Sequence, residues 1–296
     1  MHTPVLLHES INVLEIKQGG TYVDCTTNRG GHSIEIAERL GKKGKLICLD
    51  LDSDALKEAE EKLKALPNHP KLYFICTNFR YVRKILDEIH IDKIDGLIAD
   101  LGLSSQELEN SGRGFTFQKD EPLQMTYEVS PNKKIVNACD IVNLWDEKTI
   151  ADILYGFADE KYSRKIAKSI VEYRKVKPIK TTFELVEIIK NSVPKAYGKR
   201  KIHLATKTFQ ALRIAVNDEL GSLHELILSL VGVLKKNGRA CIITFHSTED
   251  RIVKQEFRNY KSLLRPVTKK PIKPKIDEVK ENPRSRSALL RIVEKI

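Results

Sequence analysis

Adjacent glycines and a histidine at the end of a short apolar run are the first residues of this chain that could serve a ligand. The stretch DCTTNRGGHS (residues 24–33) follows the apolar run TYV and precedes IEIAERL, which has helical spacing. Glycine takes positive φ and lets another group approach the backbone closely, so Gly30 and Gly31 predict either a tight turn or room for a ligand. The pair by itself does not decide between the two.

Two aspartates follow later apolar runs. Asp50 lies about 20 residues after the glycines, where a carboxylate can accept hydrogen bonds from ribose hydroxyls. A G-x-G-x-x-G pyrophosphate cradle needs three glycines, and TTNRGGHS has only an adjacent pair. The pair therefore favours S-adenosylmethionine, which has no phosphate, over a nicotinamide cofactor. Asp100, in ADLGLSS, is expected at the same site, and helix capping is the alternative role of either aspartate.

The elements that must position these residues alternate over residues 21–102. TYVDCT, KLICLDLD, KLYFICTNF and IDGLIADLG are short and apolar, and the segments between them have apolar residues three and four apart. This order predicts right-handed βαβ units and a mostly parallel α/β sheet with helices on both faces. Ligands in such sheets bind beyond the carboxyl ends of the strands, where the glycine pair and both aspartates fall.

The alternation stops after IADLGLSS. Residues 106–204 continue as a glycine-rich aromatic piece and then amphipathic helices, after which a helical stretch ending at Gly238 and the strand RACIITF restore the α/β pattern. We therefore predict one sheet domain over residues 1–105 and 205–296, with a helical domain inserted at 106–204. The basic half of the insertion is expected to overhang the ligand edge of the sheet.

The net charge of +11 is concentrated in two segments. Residues 160–203 hold 13 Lys/Arg against 4 Asp/Glu, and residues 261–296 hold 11 against 4, so the rest of the chain is acidic. Phosphate contacts by Lys and Arg supply most sequence-independent affinity for nucleic acids, so these segments predict a polyanion-binding surface. Solvated helix faces or a flexible basic tail are the alternatives that the charge pattern leaves open.

Composition also restricts the compartment. No run approaches the ~18 apolar residues of a membrane span, and the amino terminus lacks the pattern of a signal peptide. The five cysteines form no C-x-x-C pair, and Cys25, Cys48 and Cys76 lie in apolar runs, which predicts buried reduced thiols and a cytoplasmic protein. No Cys/His spacing indicates a zinc site.

Seven segments follow one another along nearly the whole chain: HTPVLLHES, RGGHS, DLGLSS, RGFTF, TKTFQALRIAVNDEL, FHSTEDRIVK and NPRSRSALLRI. In this order they resemble the bacterial ribosomal RNA small subunit methyltransferase H family. The resemblance implies a Rossmann-like, S-adenosylmethionine-dependent enzyme that methylates N4 of a cytidine in the decoding region of 16S ribosomal RNA, with a helical substrate-binding insertion. The cofactor contacts that it implies are Gly30, Gly31, His32, Asp50, Phe79 and Asp100.

The reaction restricts the catalytic candidates. The N4 amine of cytosine is conjugated with its ring and is a poor nucleophile, so attack on a sulfonium methyl depends on positioning and desolvation. A carboxylate could orient the amine and accept a proton late in the transfer, and Asp100 is the first candidate. His246 in FHSTED and Asn217 on the preceding helix are the others, and a structural role is the alternative for His246. A metal is not needed for this transfer.

Candidate RNA contacts lie in the insertion. An unstacked base could lie on Phe115 and Phe117 of GRGFTF, although these rings could equally form the core that seats the insertion. Arg164, Lys165 and Lys168 are the cations expected to contact phosphates of the small ribosomal subunit.

The sequence departs from the family pattern at several positions. Asn28 replaces a glycine, Glu107 replaces a glutamine, and Gln124 and Thr126 replace an acid and a base. Asparagine tolerates left-handed geometry best among non-glycine residues, so the loop at residue 28 is expected to keep its shape. The changes cluster on the acceptor side and leave two alternatives open, a diverged non-catalytic RNA-binding or ribosome-assembly factor and a methyltransferase with another substrate.

Overall fold

The computed structural model describes residues 4–102, 111–127, 136–199 and 202–296, which belong to two compact units. The sheet unit comprises residues 1–102 and 220–296. The helical unit comprises residues 103–219, which lie between the two parts of the sheet unit in sequence.

Seven strands of the described residues form one sheet. They are β1 (Thr21–Asp24), β2 (Lys45–Asp50), β3 (Lys71–Cys76), β4 (Ile94–Asp100), β5 (Leu234–Thr244), β6 (Leu264–Pro266) and β7 (Leu289–Lys295). Their order is β3-β2-β1-β4-β5-β7-β6, with β1 to β5 parallel and β7 antiparallel to both of its neighbours. The strand order reverses between β1 and β4, so the predicted mostly parallel, Rossmann-like sheet is confirmed.

Helices occupy both parts of the sheet unit and most of the helical unit. In chain order, those of the described residues are α1 (Leu7–Leu14), α2 (Gly31–Leu40), α3 (Ser53–Lys64), α4 (Val82–Glu88), α5 (Ala138–Leu144), α6 (Glu147–Ala158), α7 (Ser163–Arg174), α8 (Thr182–Ser192), α9 (Thr206–Asn217), α10 (Glu219–Val233), α11 (Ser247–Asn259) and α12 (Ile276–Glu281). Short 3₁₀ turns span Phe79–Tyr81, Lys195–Lys199 and Pro283–Ser287.

The sheet has an apolar core on each face because successive side chains of its strands point to opposite sides. On β2, Ile47 and Leu49 pack into one core with residues of α4, α10 and α11. Leu46 and Cys48 of the same strand pack into the other core with residues of α1, α2 and α3. Both faces of the sheet are therefore covered, as the continuous apolar runs of β1, β2 and β4 require.

The helical stretch predicted to end at Gly238 ends earlier and is interrupted. Asp218, with a left-handed φ of 46°, separates α9 from α10, and α10 ends at Val233. Strand β5 then begins at Leu234, which pairs with Ile94, and a bulge carries the chain to Arg239, which pairs with Gly96. Pairing with β4 therefore overrides the local pattern. Strands β6 and β7 had no counterpart in the sequence prediction.

The helical unit buries one core contributed by α5 to α9 and the segment before them. Capping boxes begin α5 at Asn137 and α8 at Thr181, which satisfies backbone N–H groups at both helix starts. This unit extends past the predicted end of the insertion at residue 204. Phe209 and Leu212 of α9 are buried in its core, so α9 belongs to the helical unit and the predicted boundary was placed too early.

Two expectations about the thiols are confirmed and one is wrong. Cys25 and Cys48 are buried in the sheet, whereas Cys76 is exposed. Cys76 is the last residue of β3, which is the edge strand of the sheet, so less protein covers it. Among the residues that the structure describes, no helix is both long and apolar enough to cross a membrane.

Gly96 stands in the central strand β4 because the ring of Tyr22 lies against it. Tyr22 is the register partner of Gly96 on β1 and is 1% exposed. Its hydroxyl accepts the Lys17 N–H at 2.9 Å, which holds the ring in place. A Cβ atom added to Gly96 would lie 2.6 Å from Cε1 of Tyr22, so no larger residue fits without movement of the ring.

We predict that Gly96→Ala lowers the free energy of unfolding by about 1–3 kcal/mol, since overpacking forces side chains off their rotamers. Gly232→Ala is the matched control, because Gly232 is helical and no atom lies within 4 Å of the added Cβ. Its stability should be unchanged or higher by up to about 1 kcal/mol. Urea denaturation measures both, and equal effects of the two substitutions would contradict the packing explanation.

Candidate cofactor and substrate site

Three aspartates end three neighbouring strands of the sheet unit. Asp24, Asp50 and Asp100 are the last residues of β1, β2 and β4, and these strands lie in the order β2-β1-β4. The three carboxylates therefore share the carboxyl edge of the sheet. Sequence reasoning identified Asp50 and Asp100 but missed Asp24, although Asp24 begins the stretch DCTTNRGGHS and ends a strand just as the other two do.

Asp24 is held at the strand end by two hydrogen bonds. It is 1% exposed, and its carboxylate accepts the Ser33 hydroxyl at 2.6 Å and the Thr26 N–H at 3.1 Å. Burial raises the pKa of Asp24 to about 6, and these two hydrogen bonds oppose that rise. Ser33 lies on α2, so this carboxylate ties the end of β1 to the helix that follows it.

Asp100 also has a raised pKa, although part of its surface is exposed. Desolvation by the surrounding protein raises the pKa of Asp100 to about 7; the hydrogen bond from the Gly102 N–H (3.0 Å) opposes the rise, and the negative charges of Asp24 and Glu249 add to it. The backbone N–H of Asp100 donates to Thr26 Oγ1 at 2.7 Å. Thr26 thus links the end of β4 to the loop after β1.

Asp50 organises the loop that contains Asn28. The Asn28 N–H donates to one carboxylate oxygen of Asp50 at 2.6 Å, and the Asp52 N–H donates to the other at 2.9 Å. Asn28 has a left-handed φ of 47°, so the expectation that asparagine preserves this loop is confirmed. A carboxylate has about four acceptor positions, so Asp50 can still accept hydrogen bonds from a ligand.

The two glycines of RGGHS meet different requirements. Gly30 has a φ of 86° and caps the start of α2, a conformation that other residues rarely adopt. At Gly31 an added Cβ would lie 2.2 Å from Cγ of Pro4, so this glycine makes room for the amino-terminal segment. The sequence left a turn or room for a ligand open; the space at Gly31 is filled by Pro4, a contact that local spacing could not predict. His32, the next residue, is buried in the first turn of α2.

Phe79 lies at the same edge of the sheet. It begins the 3₁₀ turn after β3, whose last residue, Cys76, is the register partner of Asp50. Its ring is partly buried against the core that includes α4. The edge therefore carries an aromatic side chain two strands away from Asp24.

His246 is committed to the start of α11. Its Nδ1 accepts the Glu249 N–H at 3.3 Å, and the Glu249 carboxylate accepts the Phe245 N–H at 2.8 Å. Nε2 of His246 lies 3.0 Å from the same carboxylate, so both ring nitrogens face Glu249. The structural alternative for His246 is the one that this geometry favours.

Phe245, which sequence reasoning passed over, closes the loop after β4. A Cβ added to Gly102 would lie 2.8 Å from its ring, so DLGLSS needs glycine where this ring packs. Phe245 follows β5, which pairs with β4. Two segments more than a hundred residues apart in the chain are therefore adjacent at the carboxyl edge.

In the helical unit, Asn217 uses its side chain to hold a backbone segment. Its Nδ2 donates to the Met125 carbonyl at 2.7 Å and to the Arg213 carbonyl at 2.9 Å, and its Oδ1 accepts the Tyr127 N–H at 2.8 Å. These bonds occupy both amide groups. The geometry thus gives Asn217 a positioning role in place of the catalytic role expected from the sequence.

Phe115 and Phe117 lie in the core of the helical unit. Phe115 is 6% exposed, with Tyr127 stacked on it at 5.4 Å between ring centroids and the Arg113 guanidinium 5.4 Å from its ring. Phe117 stacks on His203 at 4.5 Å. Because neighbouring side chains already cover these rings, they do not offer a free face to a base, and the core alternative describes them correctly.

The predicted cations lie on the surface of the helical unit. Arg164, Lys165 and Lys168 are exposed on α7, and Lys168 lies 3.8 Å from Glu172. Two aromatic residues that the sequence did not single out, Tyr173 and Phe183, are 37% and 44% exposed. They line a groove between α7 and α8 together with Ser169, Lys177, Glu184, Glu187, Ile188 and Asn191.

Two of the departures from the family pattern lie among the described residues of the helical unit besides the loop at Asn28. Gln124 is exposed, and Thr126 is half-buried. Glu107 lies outside the described residues. An exposed side chain at position 124 can change without disturbing the core that surrounds Leu123 and Met125.

Known proteins are similar to this chain over its full length. A profile of the MraW methylase family matches residues 1–296. The chain is similar to a protein from Clostridium botulinum named ribosomal RNA small subunit methyltransferase H, with 45% identity over 100% of this chain and 99% of the relative. Relatives of the same name from Finegoldia magna and Brevibacillus brevis are 42% and 41% identical over 100% of this chain and 98% of their own lengths.

Asp24→Asn should change how stability depends on pH. The pKa of Asp24 is about 6 in the folded protein, above the ordinary value of about 3.9, so the wild type loses stability as pH rises from about 4 to about 6. Asparagine cannot ionise, so the stability of the variant relative to wild type should rise by about 3 kcal/mol over that range. Urea denaturation at several pH values measures this, with exposed Asp54→Asn as the control. Parallel pH profiles for wild type and Asp24→Asn would contradict it.

Phe115→Ala should destabilise the helical unit by about 3–5 kcal/mol, since it removes a buried aromatic ring. Phe183→Ala, which removes an exposed ring from the same unit, should change stability by less than about 1 kcal/mol. Hydrogen exchange of α6 to α9 in the full chain measures both. A stable Phe115→Ala protein that had lost RNA binding would instead restore the base-stacking role.

Proposed function

This chain belongs to the MraW methylase family, and we propose that it transfers a methyl group from S-adenosylmethionine to N4 of a cytidine in the decoding region of 16S ribosomal RNA. The full-length match to one methylase family carries the proposal. Relatives at 41–45% identity are named for methylation of small-subunit ribosomal RNA, which supports this substrate class and, with it, a cytoplasmic location.

The residues at the carboxyl edge fit a cationic cofactor. Asp24, Asp50 and Asp100 make this edge negative, which attracts a sulfonium and disfavours a pyrophosphate. Asp50 retains acceptor positions for ribose hydroxyls, and the left-handed loop at Asn28 and Gly30 keeps its N–H groups directed at the edge. We assign cofactor contacts to Gly30, Gly31, His32, Asp50, Phe79 and Asp100. When bound, S-adenosylmethionine supplies an electrophilic methyl group.

Asp100 is the residue that we propose to act on the acceptor amine. Its carboxylate can accept a hydrogen bond from the N4 amine, orient the nitrogen lone pair and receive a proton late in the transfer. Its pKa of about 7 means that a cationic ligand at this edge favours the ionised form that the role requires. Asp24 acts as a positioning residue, because Thr26 connects its loop to the Asp100 N–H.

His246 and Asn217 support the site without acting on the substrate. His246 caps α11 through Glu249, whose charge raises the pKa of Asp100. Asn217 holds residues 125–127, which include Thr126, one of the departures from the family pattern. Both residues therefore act as positioning residues in this proposal.

The exposed cations of α7 are the proposed phosphate contacts. Arg164, Lys165 and Lys168 carry the positive charge that an RNA backbone requires. Tyr173 and Phe183 replace Phe115 and Phe117 as the candidate stacking rings, because their faces are accessible beside these cations. A flat aromatic surface next to phosphate-binding side chains is how single-stranded RNA is commonly held.

The deciding measurement is methyl transfer to small ribosomal subunits from cells that lack this gene and any second copy of it. Purified protein with labelled cofactor should produce N4-methylcytidine, identified by nucleoside mass spectrometry. Asp50→Ala should weaken cofactor binding by at least about 1.5 kcal/mol, roughly tenfold, because a charged acceptor is lost. Asp54→Ala, an exposed aspartate four residues on, is the matched control.

Two outcomes would select the alternatives. Binding to small subunits without any methyl transfer would identify a non-catalytic RNA-binding or assembly factor. Methyl transfer to a protein or small molecule, insensitive to salt, would identify another substrate and make the lysine-rich surface incidental. Unchanged cofactor affinity in Asp50→Ala would show that the ribose lies elsewhere.

A further inference from the structure

The basic carboxyl-terminal segment has no role in the site described so far, yet the sheet places part of it at the ligand edge. Strand β7 runs antiparallel to β5, and its first residue, Leu289, pairs with Thr244 at the carboxyl end of β5. Ile243 of β5 is the register partner of both Asp100 and Leu290. The turn that precedes β7 is therefore two strands from Asp100, about 10 Å across the sheet.

This segment is tied to the sheet unit at several points. Ile272 exchanges two backbone hydrogen bonds with Leu290, both at 2.9 Å. The Glu278 carboxylate accepts the Leu6 N–H at 2.8 Å. These contacts fix the segment before it reaches the turn at Pro283–Ser287, so it does not behave as the flexible tail that charge alone allowed.

The turn presents two arginines around one buried residue. Ser285 is 0% exposed, and its hydroxyl and N–H both donate to the Asn282 carbonyl, at 2.8 and 3.0 Å. Arg284 and Arg286 flank it and are exposed. In a 3₁₀ turn neighbouring residues point about 120° apart, so with Ser285 directed inward the two arginines point outward on either side of it.

A third arginine of the same segment shows the contrasting use. Arg291 forms a bidentate pair with Asp250 at 2.6 and 2.9 Å, and both side chains are largely buried. That pair fastens β7 to α11. Arg284 and Arg286 instead lie on the surface, at an edge otherwise lined by carboxylates.

We propose that Arg284 and Arg286 bind backbone phosphates of the substrate RNA beside the reacting nucleotide. Guanidinium groups form bidentate hydrogen bonds with phosphate oxygens, and a turn fixed by Ser285 holds them before RNA binds. The acidic edge repels the RNA backbone, so a pair of cations next to it lets phosphates approach while a base enters. The inference rests on the proposed function, because it takes RNA as the substrate.

The test compares the double variant Arg284→Gln/Arg286→Gln with Arg258→Gln. Arg258 is an exposed arginine of the same half of the chain, near the end of α11, which leads to the opposite edge of the sheet at Leu264. Filter binding to 16S RNA fragments should show about tenfold weaker binding for the double variant and less than twofold change for the control. The slope of log K against log salt should fall by about 1.4 for two single-strand contacts.

Steady-state kinetics separates binding from support of the site. The double variant should raise KM for small subunits while kcat changes less than twofold, since a phosphate contact binds ground state and transition state alike. Calorimetry should give an unchanged affinity for S-adenosylmethionine. The pair Arg284→Lys/Arg286→Lys keeps the charge and should retain most of the salt dependence.

Each contrary result has a distinct meaning. RNA affinity equal to that of Arg258→Gln would overturn the inference while leaving the proposed function intact. A loss of cofactor affinity or of thermal stability would show that the turn supports the fold, which also overturns the inference. No methyl transfer by wild-type protein, with RNA binding still weakened in the double variant, would refute the proposed function and uphold the role of the turn.

Discussion

The buried carboxylate of Asp24 is the constraint on which the ligand edge of the sheet unit depends. It ends β1, the strand between those that end in Asp50 and Asp100, and its two hydrogen bonds reach in different directions. Ser33 joins it to α2, and Thr26 joins its loop to the Asp100 N–H. A negative charge in this position is poorly solvated, and its pKa of about 6 records that cost. An edge built in this way is suited to a cation, whose charge would offset the repulsion between neighbouring carboxylates.

The glycines around that edge serve packing as much as ligand access. Gly31 lies against Pro4, and Gly102 lies against Phe245. In each case two segments far apart in the chain meet through a missing side chain. The segments that carry the family resemblance are therefore coupled in pairs, HTPVLLHES with RGGHS and DLGLSS with FHSTEDRIVK. A change at one member of a pair would be felt at the other.

Both basic segments combine cations with a structural role for nearby side chains, and burial separates the two uses. In the helical unit, Phe115 is enclosed by Tyr127 and Arg113, whereas Tyr173 and Phe183 remain accessible. In the carboxyl-terminal segment, Arg291 is largely buried beside Asp250, whereas Arg284 and Arg286 are exposed. Residue type is the same on the two sides of each comparison. Only the surroundings determine whether a ring or a guanidinium group can meet RNA.

The amino-acid sequence by itself determined the parallel α/β class, the placement of Asp50 and Asp100 at strand ends, and the left-handed loop at Asn28. These features follow from periodicity and from the conformational preferences of single residues, which are local properties of the chain. The tertiary structure alone decided that Phe115 is buried, that Cys76 is exposed, that α9 belongs to the helical unit and that Asp24 completes the row of aspartates. Each of these depends on which distant residues pack against the side chain or cover it, and burial of that kind is a property of the assembled core that no local pattern contains.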